Sequence, residues 1–197
     1  MGVSDCGNAQ DRNADGSQNK PNRCREKPAS GKSEYAEQLI LRAGALPRYY
    51  VATMEPFGAE ARARIARHRV LRAQKRFETI ECPVGLSRVL LPARGAALLE
   101  CLSNLAANEL YSPAGAGGEQ AALAAVVDGV ESLRRQCEAL VVVTGEVFSG
   151  GSAYAGDTGT YLRVLAAANR ALAARADAVC EVACGLPRYY KGEGAAL

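Results

Sequence analysis

The run Leu140-Val141-Val142-Val143-Thr144 constrains the fold of this chain more than any other segment. It is apolar and rich in β-branched residues, which suits a parallel strand covered on both faces. The units around it repeat one pattern. A helix at 33–43 leads to a strand at 49–53, and a helix rich in Ala and Arg at about 58–73 leads to a strand at 77–81. A buried strand at 96–100 precedes a helix at about 102–110, a loop at 112–118 and a long helix at 119–138. After the strand at 140–144 come a helix at about 157–175 and a last strand at 179–183. Strands alternating with helices of this length predict an α/β fold, a mainly parallel sheet with flanking helices. Ligands of such sheets sit at the carboxyl ends of the strands. Thr53, Glu81, Glu100 and Thr144-Gly145-Glu146 all fall at those ends.

Residues 1–28 break the pattern. They are rich in Asn, Asp, Gly, Ser, Gln and Lys without hydrophobic periodicity, so this segment is expected to be disordered. Residues 29–197 are expected to form one domain, large enough to bury about 70% of its unfolded surface. A net charge of +3 is too small to indicate a nucleic acid or a membrane surface as partner. No apolar run approaches the roughly 20 residues of a membrane-spanning helix. The N-terminus lacks the apolar core of a signal peptide, and the expected location is cytoplasmic. The seven cysteines include no Cys-x-x-Cys, and the one histidine, His68, is far in sequence from all but Cys82. Zinc ligation is therefore not expected, and most of the cysteines read as small core residues.

Two segments carry chemistry. Gly31-Lys32-Ser33 opens a helix and matches the back half of a phosphate-binding loop. Backbone N–H groups there close on phosphate oxygens, Lys32 bridges the outer phosphates, and the Ser33 hydroxyl ligates Mg²⁺. The plain alternative is a helix start capped by serine. The second segment, residues 62–76, holds seven cationic side chains and the only histidine. Arg64, Arg67, His68 and Leu71 share a helical stripe at i, i+3, i+4 and i+7. A histidine among cations has a lowered pKa and stays neutral and nucleophilic near pH 7. The same cations can hold a triphosphate, which suits a histidine attacking an α-phosphorus. The bland reading is a solvated helix face.

The order of motifs is more specific than either segment. Ala-Ser-Gly-Lys-Ser-Glu-x-Ala-Glu is followed by Tyr-x-Ala-Thr, Arg-Ile-x-x-His-Arg-x-x-Arg, Thr-x-Glu, Leu-Leu-Glu-Cys-Leu-x-Asn-Leu-x-x-Asn-Glu and Val-Val-Thr-x-Glu-Val. Together, over about residues 29–192, they resemble the bifunctional adenosylcobinamide kinase / adenosylcobinamide-phosphate guanylyltransferase family of cobalamin biosynthesis. The resemblance implies a P-loop NTPase fold of the RecA-like kind and a homotrimer. It implies two reactions, phosphorylation of adenosylcobinamide by ATP or GTP, then transfer of GMP from GTP through a guanylyl-histidine to adenosylcobinamide phosphate. The guanylylated residue falls on His68, and the phosphate loop on Ala29, Ser30, Gly31, Lys32 and Ser33. Further nucleotide contacts fall on Ala52, Thr53 and Met54, on Arg69, Val70, Leu71 and Arg72, and on Glu81 and Glu100. A carboxylate near guanine accepts from its N1–H and N2–H₂ groups, whereas one near phosphate needs Mg²⁺, and the sequence leaves open which glutamate does which. The chain departs from the family's pattern in two places: after Thr144, Gly145 precedes Glu146 where the family usually shows Asn-Glu, and the larger departure is at the phosphate loop. The family leads into its loop with an apolar strand and Gly-Gly, where this chain has a polar stretch with Glu26 and Lys27. That departure keeps a second expectation alongside the first, a catalytically impaired nucleotide-binding homologue.

Overall fold

The computed structural model describes residues 31–55, 65, 66, 70, 73–145 and 156–192. Four parallel strands form the main sheet: β1 (Arg48–Ala52), β2 (Phe77–Glu81), β3 (Gly95–Glu100) and β4 (Cys137–Val143), in the order β2-β1-β3-β4. All three pairings are parallel, as an alternation of strands with crossover segments demands. The helices described from end to end are α1 (Lys32–Ala43), α2 (Leu102–Tyr111), α3 (Glu119–Gln136) and α4 (Asp157–Arg175). A short antiparallel ribbon, β5 (Val179–Ala183) with β6 (Leu186–Lys191), stands apart from the sheet.

The period-2 alternation of the strands sorts their side chains between two apolar layers. Tyr50, Ala52, Phe77, Ala96, Leu98 and Val143 face α1 and meet its Ala36 and Ile40. Tyr49, Val51, Ala97 and Leu99 face the other way, onto Leu105 of α2, Val126 of α3 and Leu165 of α4. Among the described residues, α1 covers one face of the sheet and α2, α3 and α4 the other, and the central strand β3 has five buried residues out of six. This near-continuous apolar strand is what double coverage requires. Helix α1 also reaches β5, and the hydroxyls of Tyr35 and Tyr189 (2.5 Å) tie the ribbon to it.

The expected α/β architecture is the one observed, with differences at three places. Strand β4 starts at Cys137 rather than 140, because α3 ends at Gln136 and runs into the strand without a loop. Strand β6 was not expected at all. The turn at Cys184-Gly185 sends the chain back along β5, and Pro187 and a largely exposed pattern mask the strand in the sequence. Cysteines behave as core residues only in part. Cys82 and Cys137 are buried, and burial pushes the Cys137 thiol up to about 11, whereas Cys184 is exposed in the ribbon turn. Cys6 and Cys24, the expected disorder of 1–28 and most of the expected helix at 58–73 lie outside the described residues.

Leu98 is fully buried between α1 and the neighbouring strands, while Leu90 is 82% exposed. Leu98→Ala is expected to lower the unfolding free energy by about 2–5 kcal/mol. Leu90→Ala should change it by no more than about 0.5 kcal/mol. Urea titration followed by circular dichroism measures both.

Candidate nucleotide site

The carboxyl edge of the sheet is a line set by strand register. Ala52 at the end of β1 pairs with Glu81 on one side and Glu100 on the other, and Glu100 pairs with Val143 of β4. Alternation places Glu81, Ala52 and Glu100 on the face that α1 covers. The two carboxylates flank the small side chain of Ala52, their strands about 9–10 Å apart across β1.

Helix α1 begins at this edge. Its N-cap is Gly31 at φ 74°, and no side chain caps the helix. The left-handed conformation favours glycine, and crowding demands it too, since a Cβ at Gly31 would lie 2.8 Å from the Gly185 Cα. The alternative of a serine-capped helix start is thereby overturned. Ser33 does not turn its hydroxyl back to the helix N–H groups; it donates to Oε1 of Glu100, 67 residues away. The Tyr50 hydroxyl donates to Oε2 of the same carboxylate. Glu100 is thus held at both oxygens, beside Lys32 and Ser33 and beside the partial positive charge of a helix N-terminus. Adjacent hydroxyl and carboxylate oxygens are the hard donors that Mg²⁺ takes, so these residues fit the ion that the phosphate-loop reading needs.

Thr53 is fully buried and fully engaged. Its N–H donates to the Glu100 carbonyl (3.1 Å). Its hydroxyl donates to the Cys101 carbonyl (2.9 Å) and accepts from the Cys101 N–H (2.8 Å). Thr53 therefore locks the end of β1 to the end of β3. Of the three residues expected to contact nucleotide after β1, Met54 is the one with an exposed side chain, at 37%. Thr144, just past β4, has a buried hydroxyl without a hydrogen-bond partner among the described residues.

The basic segment is described only at its margins. Val70 is helical and exposed. Lys75, counted above among the cations available to phosphate, is instead ion-paired with Glu37 of α1. Ala29, Ser30, His68, Arg69, Leu71, Arg72 and Glu146 lie outside the described residues. Tyr50 escaped the sequence reading, although it lies two residues before Ala52 in a strand and so shares the face of Glu100.

A sequence profile described as cobinamide kinase / cobinamide phosphate guanyltransferase matches residues 28–189. The chain belongs to this family. No individual curated protein matches it. Family membership places the parallel sheet with its flanking helices among the P-loop NTPases, and gives the chain's role as a cobinamide kinase / guanyltransferase of cobalamin biosynthesis. Among the described residues, no helix is long and apolar enough to cross a membrane.

Tyr50 is the buried donor on Glu100, and its loss leaves a carboxylate oxygen short of a partner. Tyr50→Phe is expected to cost about 1–3 kcal/mol of stability, more than Ser33→Ala at the less buried end of the same carboxylate. Chemical denaturation of the two variants beside the parent protein tests the order.

Proposed function

We propose that the protein performs both reactions of its family at the carboxyl edge of the sheet. The observation that carries this reading is the hydrogen bond from Ser33 to Glu100 at the start of α1. It brings the helix terminus and a strand-end carboxylate together, which supports reading them as one phosphate-binding arrangement.

In the kinase reaction the aminopropanol hydroxyl of adenosylcobinamide attacks the γ-phosphorus of ATP or GTP. The new P–O bond forms as the bond to the nucleoside diphosphate breaks, and the hydroxyl proton is lost. Lys32 holds the outer phosphates through its ammonium, and the backbone around Ala29, Ser30 and Gly31 wraps them. Ser33 and Glu100 would hold Mg²⁺, which neutralises charge on the β- and γ-phosphate oxygens when bound. In the second reaction a ring nitrogen of His68 attacks the α-phosphorus of GTP, and pyrophosphate leaves. A phosphate oxygen of adenosylcobinamide phosphate then displaces the histidine, giving adenosylcobinamide-GDP. The arginines at 69 and 72 neutralise the phosphates while that bond changes hands.

This reading divides the two glutamates. Glu100 is bonded to Ser33 and belongs to the phosphate and Mg²⁺ side. Glu81 is exposed on the far side of Ala52 and is assigned to the guanine, whose N1–H and N2–H₂ groups suit a carboxylate. The proposal includes a homotrimer working in the cytoplasm. A second reading, favoured by Glu26 and Lys27 in place of the loop glycines, is a homologue that binds nucleotide without turning it over.

Incubation with [α-³²P]GTP and Mg²⁺ is expected to leave acid-labile label on the parent protein and none on His68→Ala. Label retained on His68→Ala would overturn the nucleophile assignment, and bound GTP without label on the parent protein would favour the impaired reading. Lys32→Ala should slow adenosylcobinamide phosphorylation by about two orders of magnitude or more, the scale of one main electrostatic contact to a transition state. Glu81→Gln should weaken discrimination of GTP from ATP, whereas Glu100→Gln should raise the Mg²⁺ requirement. The opposite pairing of effects would exchange the two assignments.

A further inference from the structure

Two consecutive residues of α2, Asn108 and Glu109, do something that the chemistry above leaves unused. The Asn108 side-chain amide donates to the carbonyl of Thr53 (2.8 Å), after β1, and to the carbonyl of Pro83 (3.0 Å), after β2. The Glu109 carboxylate is 2% exposed. It accepts from the N–H of Gly85 (2.6 Å), further along the β2 loop, and from the N–H of Ala116 (3.0 Å), in the loop after α2 itself. The fit of that last loop is close, since a Cβ on Gly115 would lie 2.4 Å from the Asn108 carbonyl.

We infer that Asn108 is a positioning residue for nucleotide binding, with Glu109 as its support. The inference rests on the function proposed above. Asn108 grips the backbone just past β1, at the neighbour of Met54, and just past β2, two residues beyond Glu81. Its hold on Thr53 is passed on through the Thr53 hydroxyl to Cys101, the neighbour of Glu100. One amide therefore sets the spacing of the loops that flank the base and steadies the carboxylate that faces the phosphates. Both of its bonds go to backbone carbonyls, which have no rotamer with which to adapt if the amide is lost.

The test needs a comparison that separates positioning from plain stability. Gln136, at the end of α3, makes the same type of staple elsewhere. Its amide donates to the carbonyls of Val89 (3.0 Å) and Ser132 (3.1 Å) and accepts from the N–H of Leu91 (2.9 Å). Direct binding of a fluorescent GTP analogue, with Mg²⁺, is measured for the parent protein, Asn108→Ala, Asn108→Ser and Gln136→Ala, along with each melting temperature. Asn108→Ala is expected to weaken binding about tenfold, because the loops after β1 and β2 lose their shared anchor and must be ordered on binding, and Asn108→Ser less, because its hydroxyl keeps one donor. Gln136→Ala should lower the melting temperature and leave the dissociation constant within twofold. If Asn108→Ala does not fold, Asn108→Ser is judged by the same criterion. A parent protein that binds while the Asn108 variants bind equally well would overturn this inference alone. A parent protein that does not bind the analogue would overturn the proposed function, and this inference with it.

Discussion

The carboxylate of Glu100, held between the hydroxyls of Ser33 and Tyr50, is the contact on which the candidate site depends. An ionised carboxylate taken partly out of water needs donors, and each donor here comes from a different part of the fold. Ser33 rides on the first turn of α1, Tyr50 lies on the neighbouring strand, and Glu100 ends the central strand. The three meet because α1 packs its Ala36 and Ile40 on the same face of the sheet to which Tyr50 and Glu100 point. Register does the rest, since a shift of one residue in β3 would send the carboxylate to the opposite layer.

Thr53 extends this arrangement sideways. A buried hydroxyl that both donates and accepts at Cys101 fastens the exits of β1 and β3 to each other. Asn108 and Glu109 then fasten the exits of β1 and β2 from the side of α2. The edge where ligands of parallel sheets sit is thus cross-braced by side chains that face inward, with the exposed side chain of Met54 beside them.

Much of this was legible in the sequence, and what was not has physical reasons. The strands at 77–81 and 179–183 and the helix at 157–175 coincide with the observed elements, because each is a short or long run rich in the residues its element favours and bounded by turns or bends. The join of α3 to β4 was blurred, since Gln136 and Cys137 form a boundary without glycine, proline or a polar break. Strand β6 was hidden by its exposure; with little of it buried, it leaves little pattern. For the site, topology foretold that Thr53, Glu81 and Glu100 end their strands. It could not tell that Thr53 turns inward or that Glu100 and not Glu81 meets Ser33, because partners 67 residues apart carry no periodic signal. The pairing of Lys75 was hidden for a related reason, as Lys75 lies in the turn before β2 and its acidic partner Glu37 is on α1, 38 residues away.

The staple at Asn108 has a consequence for how such a site can change over evolutionary time. It grips carbonyl groups, and every residue has one. Mutations in the loops after β1 and β2 can therefore exchange side chains, and with them ligand preference, without breaking the anchor. Asn108 itself has no such latitude: a shorter or differently branched side chain would reach one carbonyl at most. A frame built on backbone recognition lets its neighbours diversify while its own position stays narrow, so that in this part of the fold tolerance and constraint sit side by side.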